Sequence, residues 1–301
     1  MDLNTFIITM SCLIDEWLAQ QPRLRQRGFA PALSDGEVLT IEVVGEFLGI
    51  DTDTGLYRYF RRHDGDWFPA LLHLDRSTFA RQAASLWVRK GELWQHFGAQ
   101  VIHDPALAIV DSFPVPVCRF ARARRCRRLR EVSAYGKDHA DHQTFYGLRA
   151  HIRICWPGVI AAASLAPANA DEMAVAEADL VDAAGGWLLG DRNYWRPQAA
   201  ERLRERGLTV VAPYTWASRD PHPWPQWRTD TRRRIATSIG QLTERFHAKK
   251  VRARDAWHLR ARWLRKLLSH TLAVLLCQQA GLAPLAFDQL LTADYAAHRV
   301  I

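Results

Sequence analysis

The segment GGWLLGDRNYWRP, residues 185–197, decides the architecture that we predict for this chain. Two glycines open the segment, and the short apolar run at 187–189 is typical of a buried strand. Gly190 and then Asp191 end that run, and arginines and aromatic rings follow directly. Because ligands bind at the ends of strands in α/β sheets, a carboxylate at this point predicts a functional site.

A second carboxylate, Asp111, ends another apolar run, ALAIV at residues 106–110. The segment YGLRAHIRIC, residues 146–155, alternates apolar with polar side chains, which predicts a strand with one buried face. A turn and the apolar segment 159–166 follow, so these two strands are predicted to form a hairpin. If the strands that lead to Asp111 and Asp191 are parallel neighbours, the two carboxylates lie close together.

Helical periodicity dominates the first 100 residues. One predicted helix begins with Ser34 and Glu37, whose side chains can form a capping box. Another has Ser77 as its predicted N-cap. These helices predict an N-terminal helical domain, residues 1–104, with a role in binding DNA ends as one interpretation.

Further helices are predicted between and after the later strands, at residues 171–184, 197–206 and 231–250. The second of them has Pro197 in its first turn and Gly207 just past its end, a typical pairing of start and stop signals. Alternating strands and helices predict an α/β domain over residues 105–301 that includes the C-terminal helices.

The charge distribution indicates a polyanionic partner for the second part of the chain. The net charge is +8, yet residues 1–100 carry −3 and residues 101–301 carry +11. Five scattered cysteines form no C-x-x-C pair, which favours a reducing compartment. The acidic start and the interrupted apolar stretch near residue 270 predict neither a signal peptide nor a membrane span. We therefore expect a cytoplasmic protein.

Glu244 is the third candidate carboxylate, on the last predicted helix. It lies opposite the apolar stripe formed by Ile239, Leu242 and Phe246. Three carboxylates suit two Mg²⁺ ions, which prefer oxygen ligands and can clamp both oxygens of a phosphoryl displacement. Taken singly, each acid is more simply interpreted as a strand cap, a turn residue or an exposed helix residue.

The blocks IVDSFPVPVC, YGLRAHIRICWPGVIAAASLAPANADE, WLLGDRNY and RRRIATSIGQLTERF together resemble the DDE transposases of bacterial insertion sequences. The resemblance covers about residues 105–275. It implies a ribonuclease-H-like mixed sheet flanked by helices and preceded by a helical domain. It also implies that Asp111, Asp191 and Glu244 are the catalytic triad and hold two Mg²⁺ ions, with Mn²⁺ as a substitute. The sequence departs from the family pattern at Gly240 and Val251, where that pattern has Arg and Lys.

The resemblance implies cleavage at the ends of a mobile element and strand transfer into target DNA. The implied partners are double-stranded DNA, both terminal inverted repeats and target, and a second copy of the chain in a homodimer. The implied location is the bacterial cytoplasm, in association with the nucleoid. Two alternatives stay open: a catalytically inactive DNA-binding protein derived from a transposase, and a nuclease on the same fold.

Cations and aromatic rings near the three acids are the candidate DNA contacts. The alternatives are a solvated charged loop for the arginines and core packing for the rings. The predicted phosphate contacts are Arg119, Arg122, Arg124, Arg125, Arg127, Arg128, Arg192, Arg196, Arg233, Lys249 and Lys250. The predicted base-stacking residues are Tyr194, Trp195 and Trp216.

Overall fold

The structure, a computed structural model, describes residues 1–24, 28–138, 142–181, 185–214 and 225–292, with the backbone alone at residue 235. These residues belong to two compact units. One comprises residues 1–100, 245–247 and the chain from Trp257 on, and the other comprises residues 101–244 and 248–256. The sequence prediction grouped the chain after residue 257 with the sheet, whereas in the structure it belongs to the helical unit.

The secondary structure of these ranges alternates as expected after residue 100. None of the described helices is long and apolar enough to cross a membrane. The helices are α1 (Leu3–Ala19), α2 (Asp35–Phe47), α3 (Asp53–His63), α4 (Arg76–Ser85), α5 (Trp87–Gln100), α6 (Glu172–Val175), α7 (Pro197–Glu205), α8 (Gln226–Gly240) and α9 (Ala256–Gln279). The strands are β1 (Asp104–Pro116), β2 (Ala134–Asp138), β3 (Gln143–Trp156), β4 (Val159–Pro167), β5 (Gly186–Leu189) and β6 (Leu208–Val211).

The predicted capping box of α2 is confirmed. The Glu37 backbone N–H donates to Ser34 Oγ at 3.0 Å, and the Ser34 backbone N–H donates to the Glu37 carboxylate at 2.6 Å. The prediction for the later helix is wrong, because α4 has Asp75 as its N-cap and the chain leaves the helix at Leu86 before α5 begins. Asp75 occupies the N-cap position without a side-chain hydrogen bond to the first turn, and the helix starts two residues earlier than predicted.

A buried ionic network connects α9 to α2 in the helical unit. Arg265 donates to Glu46 at 2.6 Å and to Glu42 at 3.2 Å, and both acids are almost fully buried. Lys266 contacts Glu46 at 2.9 Å, and Lys90 contacts Glu42 at 2.6 Å. Because Arg265 and Lys266 are buried in ion pairs, their side chains are not available to contact DNA phosphates.

A mixed sheet forms the second unit, with strand order β2-β3-β1-β5-β6. Strand β4 pairs with the part of β3 that is not paired with β2. Strands β1 and β5 are parallel, as are β5 and β6, whereas β3 is antiparallel to β1, β2 and β4. One face of the sheet carries an apolar core with α6 and α7, which includes Val110, Met173, Leu188 and Leu203. This helix-flanked mixed sheet, with helices preceding it in the chain, confirms the predicted ribonuclease-H-like fold class.

A close backbone approach allows β5 to lie beside β1. A Cβ atom at Gly186 would lie 2.2 Å from the carbonyl oxygen of Ala106, and Gly186 has φ of +110°. Glycine alone tolerates both the contact and this backbone conformation. The glycine at the start of the opening segment therefore fixes the pairing of β5 with β1.

The predicted hairpin of β3 and β4 is confirmed, but β3 is buried on both faces. Arg149 and His151 are 8% and 0% exposed, so the polar side of the alternation is not a solvent face. The reason is that α6 covers this side, where Arg149 pairs with Glu172. Strand β2 was missed, since AYGKD lacks the apolar alternation that indicates a strand.

Candidate active site

Strands β1 and β5 bring two carboxylates together, Asp111 within β1 and Asp191 just past the end of β5. The parallel register pairs Ile109 with Leu189, and Asp111 and Asp191 each lie two residues further along the chain. The prediction that β1 ends at Asp111 is wrong, because the strand continues to Pro116 in its pairing with β3. Adjacent strands lie about 4.8 Å apart, so continuing the register puts the two side chains at one edge of the sheet. The predicted parallel pairing of these two strands is confirmed.

The electrostatics of Asp111 indicate how close these acids are. The pKa of Asp111 is raised to about 6, chiefly by burial, and the negative charges of Asp191 and Glu172 contribute to this increase. The Ser112 backbone N–H and the positive charge of Arg232 act in the opposite direction. A cation bound at this edge would relieve the repulsion among the carboxylates.

Backbone amides orient both aspartates. The Ser112 N–H donates to Asp111 Oδ1 at 2.7 Å, and the Asn193 N–H donates to Asp191 Oδ1 at 2.8 Å. Asp191 is thereby the N-cap of the short 3₁₀ turn Arg192–Tyr194. The Asn193 side-chain amide also lies 3.5 Å from Asp191 Oδ2.

Glu172, at the start of α6, is the site residue that the sequence analysis missed. Its carboxylate accepts a hydrogen bond from Ser112 Oγ at 2.9 Å and one from Asn193 Nδ2 at 3.4 Å. Arg149 Nη1 lies 3.5 Å away, and both side chains of this pair are about nine-tenths buried. In the sequence Glu172 follows the N-cap Asp171 and matches an ordinary acidic first turn, so no local signal distinguished it.

Tyr194 requires a correction, because base stacking was predicted for it. Its side chain is 0% exposed and belongs to the apolar core between the sheet, α6 and α7. Burial raises the pKa of the Tyr194 hydroxyl well above its usual range, with further contributions from Glu172 and Asp111. A ring inside the core has no free face for a base, so Tyr194 is a core residue next to the acids.

Gly190 explains how this tyrosine fits. A Cβ atom at Gly190 would lie 2.7 Å from Tyr194 Cβ and 2.9 Å from Tyr194 Cγ. These are the inner atoms of the side chain, so the clash could not be relieved by a small rotation of the ring. The glycine in the segment WLLGDRNY therefore allows the ring to fold back under the end of β5.

Glu244 lies on a different element from the pair of aspartates. It is exposed, on the π turn Gln241–Arg245 that follows α8. The α8 side chain whose charge acts on Asp111 is Arg232, and Glu244 lies about 18 Å further along at helical rise. Among the residues that the structure describes, no group of three His, Cys, Asp or Glu side chains is close enough to hold a metal ion. The catalytic role of Glu244 stays a prediction.

The predicted phosphate-contact residues are mostly at the surface. The arginines of the loop after β1 form an exposed cluster around the 3₁₀ turn Phe120–Arg125, and Arg192, Arg233 and Lys250 are also exposed. Arg196 contacts Asp171 at 3.1 Å, and Arg128 donates to the Val117 carbonyl at 2.8 Å. Lys249 is half-buried. Binding of phosphate by these side chains stays a prediction.

The remaining aromatic predictions have mixed outcomes. Trp195 is half-buried and packs edge-on against Tyr214, with ring centroids 4.7 Å apart. Part of its surface is therefore accessible, and its stacking on a base stays a prediction. Trp216 lies outside the described residues.

The donor set at this edge suits a hard divalent cation. Asp111 and Asp191 contribute carboxylate oxygens, and Mg²⁺ is typically held by one or two carboxylates, with water and substrate phosphate completing its shell. Two carboxylates with mutual repulsion therefore fit Mg²⁺ in a complex with DNA better than in the free protein. Neither a histidine nor a cysteine contributes to the contacts described at this edge.

Comparison with known proteins gives one match. Residues 103–221 match the family model described as the transposase DDE domain. The matched segment begins one residue before β1 and extends past β6, so it contains Asp111, Glu172 and Asp191 but not Glu244. No curated protein and no solved structure matches the chain.

Proposed function

We propose that this chain, whose residues 103–221 match the family model of the transposase DDE domain, cuts DNA at the ends of an insertion sequence and joins the freed strands to target DNA. The observation that carries the proposal is the pair of carboxylates on adjacent parallel strands, with Asp111 within β1 and Asp191 just past the end of β5. The carboxyl ends of parallel strands, where Asp191 lies, are where α/β sheets bind ligands. The net charge of +11 after residue 100 suits a DNA substrate.

In this proposal Asp111 and Asp191 would hold two Mg²⁺ ions, for which Mn²⁺ could substitute, and a DNA phosphate would complete their ligands. Bound there, the ions would supply the positive charge that activates water and stabilises the attacking and leaving oxygens of phosphoryl transfer. Asp111 and Asp191 contribute oriented oxygen ligands, each fixed by a backbone N–H. Glu244 is the third ligand implied by the resemblance, and it would have to approach the aspartates when DNA binds.

The proposed DNA track consists of the exposed arginines that follow β1. Arg124 and Arg125 lie on this loop, which starts a few residues after Asp111. Their role is to neutralise phosphates on either side of the scissile bond, which positions the strand without reading its sequence. A homodimer that pairs two terminal inverted repeats in the bacterial cytoplasm completes the proposal.

Strand cleavage of labelled terminal-repeat DNA in Mg²⁺ tests the proposal. We expect Asp111→Asn and Asp191→Asn to abolish cleavage and joining, because each loses a negatively charged ligand. Asp230→Asn is the matched control, since Asp230 is an exposed acid on α8 with no contact to the site. Equal rates for Asp191→Asn and the unaltered protein would show that the mechanism is wrong.

A variant of Glu244 separates two versions of the mechanism. If Glu244→Gln lowers cleavage as strongly as Asp111→Asn, Glu244 joins the site in the DNA complex. If Glu244→Gln is as active as the Asp230→Asn control, Glu244 is not the third ligand. Cleavage of unrelated DNA at the same rate, without joining, would instead identify a nuclease on the same fold.

A catalytically inactive DNA-binding protein is the second candidate. It is favoured by the exposed position of Glu244 and by the Arg232 cation that faces Asp111. The discriminating measurement is the melting temperature of the protein–DNA complex with and without millimolar Mg²⁺ or Mn²⁺. A metal that binds the folded complex must raise the melting temperature. No shift with either ion would favour the inactive protein.

A further inference from the structure

We propose that Glu172 is a positioning residue that holds Asp111 and Asp191 at a fixed separation, with Arg149 as its counter-ion. The inference rests on the proposed function, since it concerns the same pair of carboxylates. It assigns a role to an almost buried acid on α6 that the sequence analysis did not single out.

One carboxylate oxygen of Glu172 contacts β1 at the residue that follows Asp111. Ser112 Oγ donates to Glu172 Oε2 at 2.9 Å, while the backbone N–H of the same serine donates to Asp111 Oδ1 at 2.7 Å. A single residue therefore connects the two carboxylates. Any shift of Glu172 is transmitted to the peptide group that orients Asp111.

The other carboxylate oxygen of Glu172 contacts Asn193, in the turn after β5, and Asn193 is bonded to Asp191 as Ser112 is to Asp111. Asn193 Nδ2 donates to Glu172 Oε1 at 3.4 Å, and the backbone N–H of Asn193 donates to Asp191 Oδ1 at 2.8 Å. Each aspartate thus accepts a hydrogen bond from the backbone of a residue whose side chain donates to Glu172. This symmetry is what assigns Glu172 to the spacing of the pair rather than to either aspartate alone.

Arg149 makes the buried charge of Glu172 tolerable. Its guanidinium lies 3.5 Å from Glu172 Oε1 and donates to Ser112 Oγ at 3.2 Å, and it also donates to the Lys137 carbonyl on β2. A buried carboxylate is strongly unfavourable without such a partner. The arginine therefore fixes Glu172 in place and connects it to β2 and β3.

Glu177 provides a matched comparison on the same segment. It lies in the turn that continues α6, and its carboxylate forms a two-point contact with Arg202 at 2.6 and 2.7 Å. This pair is at the surface, with Arg202 55% exposed. The contacts described for Glu177 involve neither Ser112 nor Asn193. Loss of Glu177 therefore removes an acid and an ion pair without altering the aspartates.

Binding of Mn²⁺ by the full chain in complex with double-stranded DNA, followed through the electron paramagnetic resonance signal of the free ion and with the same DNA alone as the blank, tests the inference. We expect Glu172→Ala to weaken Mn²⁺ binding by about 10- to 100-fold, as is typical when a group that orients metal ligands is removed. Glu172→Gln should give an intermediate loss, because its single amide oxygen can accept from only one of Ser112 and Asn193. Glu177→Ala should bind Mn²⁺ as the unaltered protein does.

A second pair of variants separates positioning from charge. Ser112→Ala removes the hydrogen bond from Ser112 Oγ to Glu172 and leaves the ion pair of Glu172 with Arg149 in place. We expect about a tenfold loss of Mn²⁺ affinity in this variant, which tests the inference even if Glu172→Ala fails to fold. Arg149→Met makes the site more negative, so tighter Mn²⁺ binding would mean that Glu172 acts only through its charge. Weaker binding in Arg149→Met supports positioning.

The outcomes distinguish this inference from the proposed function. If Asp111→Asn abolishes Mn²⁺ binding while Glu172→Ala and Ser112→Ala bind as the unaltered protein, the inference is overturned and the proposed function stands. If Asp111→Asn binds Mn²⁺ unchanged, or the unaltered protein binds none, the metal site and the inference both fall. Circular dichroism of each variant establishes that the fold is retained.

Discussion

At the residue scale, small and buried groups determine the geometry of the site. Gly190 allows the Tyr194 ring to lie under the end of β5, and that ring in turn supports the strand end that carries Asp191. The hydrogen bond from the Gly190 N–H to the Val211 carbonyl, at 3.1 Å, continues the pairing of β5 with β6 up to the aspartate. The position of one catalytic candidate thus depends on a residue without a side chain.

Gly190→Ala should destabilise the protein by about 1–3 kcal/mol, the usual cost of forcing extra volume into a packed core. The added methyl group would lie 2.7 Å from Tyr194 Cβ. Urea denaturation measures the change. Gly98→Ala in α5 is the control, because a Cβ there has no neighbour within 4 Å and alanine favours the helix. Equal stability of the two variants would contradict the packing of Tyr194 described above.

His270 predicts a pH dependence of stability. It is fully buried on α9 against the rings of Phe246 and Phe287, and burial lowers its pKa to about 3 from 6.5. Between these values the unfolded chain takes up a proton that the folded chain does not, so stability is lost as pH falls below 6.5. His270→Leu should remove about 2 kcal/mol of the loss between pH 7 and pH 5.

Urea denaturation of both proteins at pH 7 and pH 5 measures this difference. His151 keeps its own contribution in the variant, because burial lowers its pKa to about 4 as well. The pH dependence should therefore be reduced and not abolished. An identical loss of stability in His270→Leu and the unaltered protein would mean that His270 is protonated in the folded state.

At the element scale, the same kind of ion pair occurs in both units: an almost buried acid on one helix is paired with a cation on another element. In the sheet unit Glu172 of α6 pairs with Arg149 of β3, and in the helical unit Glu46 of α2 pairs with Arg265 of α9. Each pair joins elements that are far apart in sequence. Ion pairs of this kind favour one arrangement of the elements because the unpaired charges are so unfavourable in the interior.

Arg265→Met should destabilise the helical unit by about 3–5 kcal/mol, because Glu46 and Asp53 would lose a buried partner. Thermal or urea denaturation gives the value. Arg204→Met is the surface control, since both side chains of its pair with Glu201 are exposed and solvent screening leaves such a pair little effect on stability. Similar losses in the two variants would mean that burial of the network is not the source of its strength.

At the scale of the whole molecule, charge is divided between the first 100 residues and the remainder. The exposed arginines after β1 lie in the part with net charge +11. Binding of a polyanion by this part releases counterions, so its affinity must fall as salt rises. The slope of that dependence counts the phosphates that the protein neutralises.

Arg124→Ala with Arg125→Ala should weaken double-stranded DNA binding on any sequence and reduce the log–log salt slope by about 2. Fluorescence anisotropy at several salt concentrations measures both quantities. A double variant of the exposed Arg58 and Arg81, in the part with net charge −3, should leave the slope unchanged. If both double variants change the slope equally, the loop after β1 is not the DNA track.

Local patterns in the sequence were sufficient to predict the strands that carry the two aspartates, the hairpin and the capping box. Each depends on residues within about ten positions of one another, so periodicity and turn residues carry the information. The parallel pairing of the strands that carry Asp111 and Asp191 was predicted correctly, but the end of β1 was not, because the strand continues to Pro116 in its pairing with β3. Strand β2 escaped this reasoning because it has no such pattern.

The sequence by itself determined the order of elements, the positions of the two aspartates and the basic character of the second part of the chain. Only the tertiary structure decided that Glu172, paired with Arg149, connects the residues that orient the two aspartates. It also decided that Tyr194 is a core residue and that Arg265 and Lys266 pair with acids of α2. The physical reason is that burial and charge pairing are properties of neighbours in space. Sequence periodicity shows which face of an element is apolar, but the folded chain decides what covers the other face.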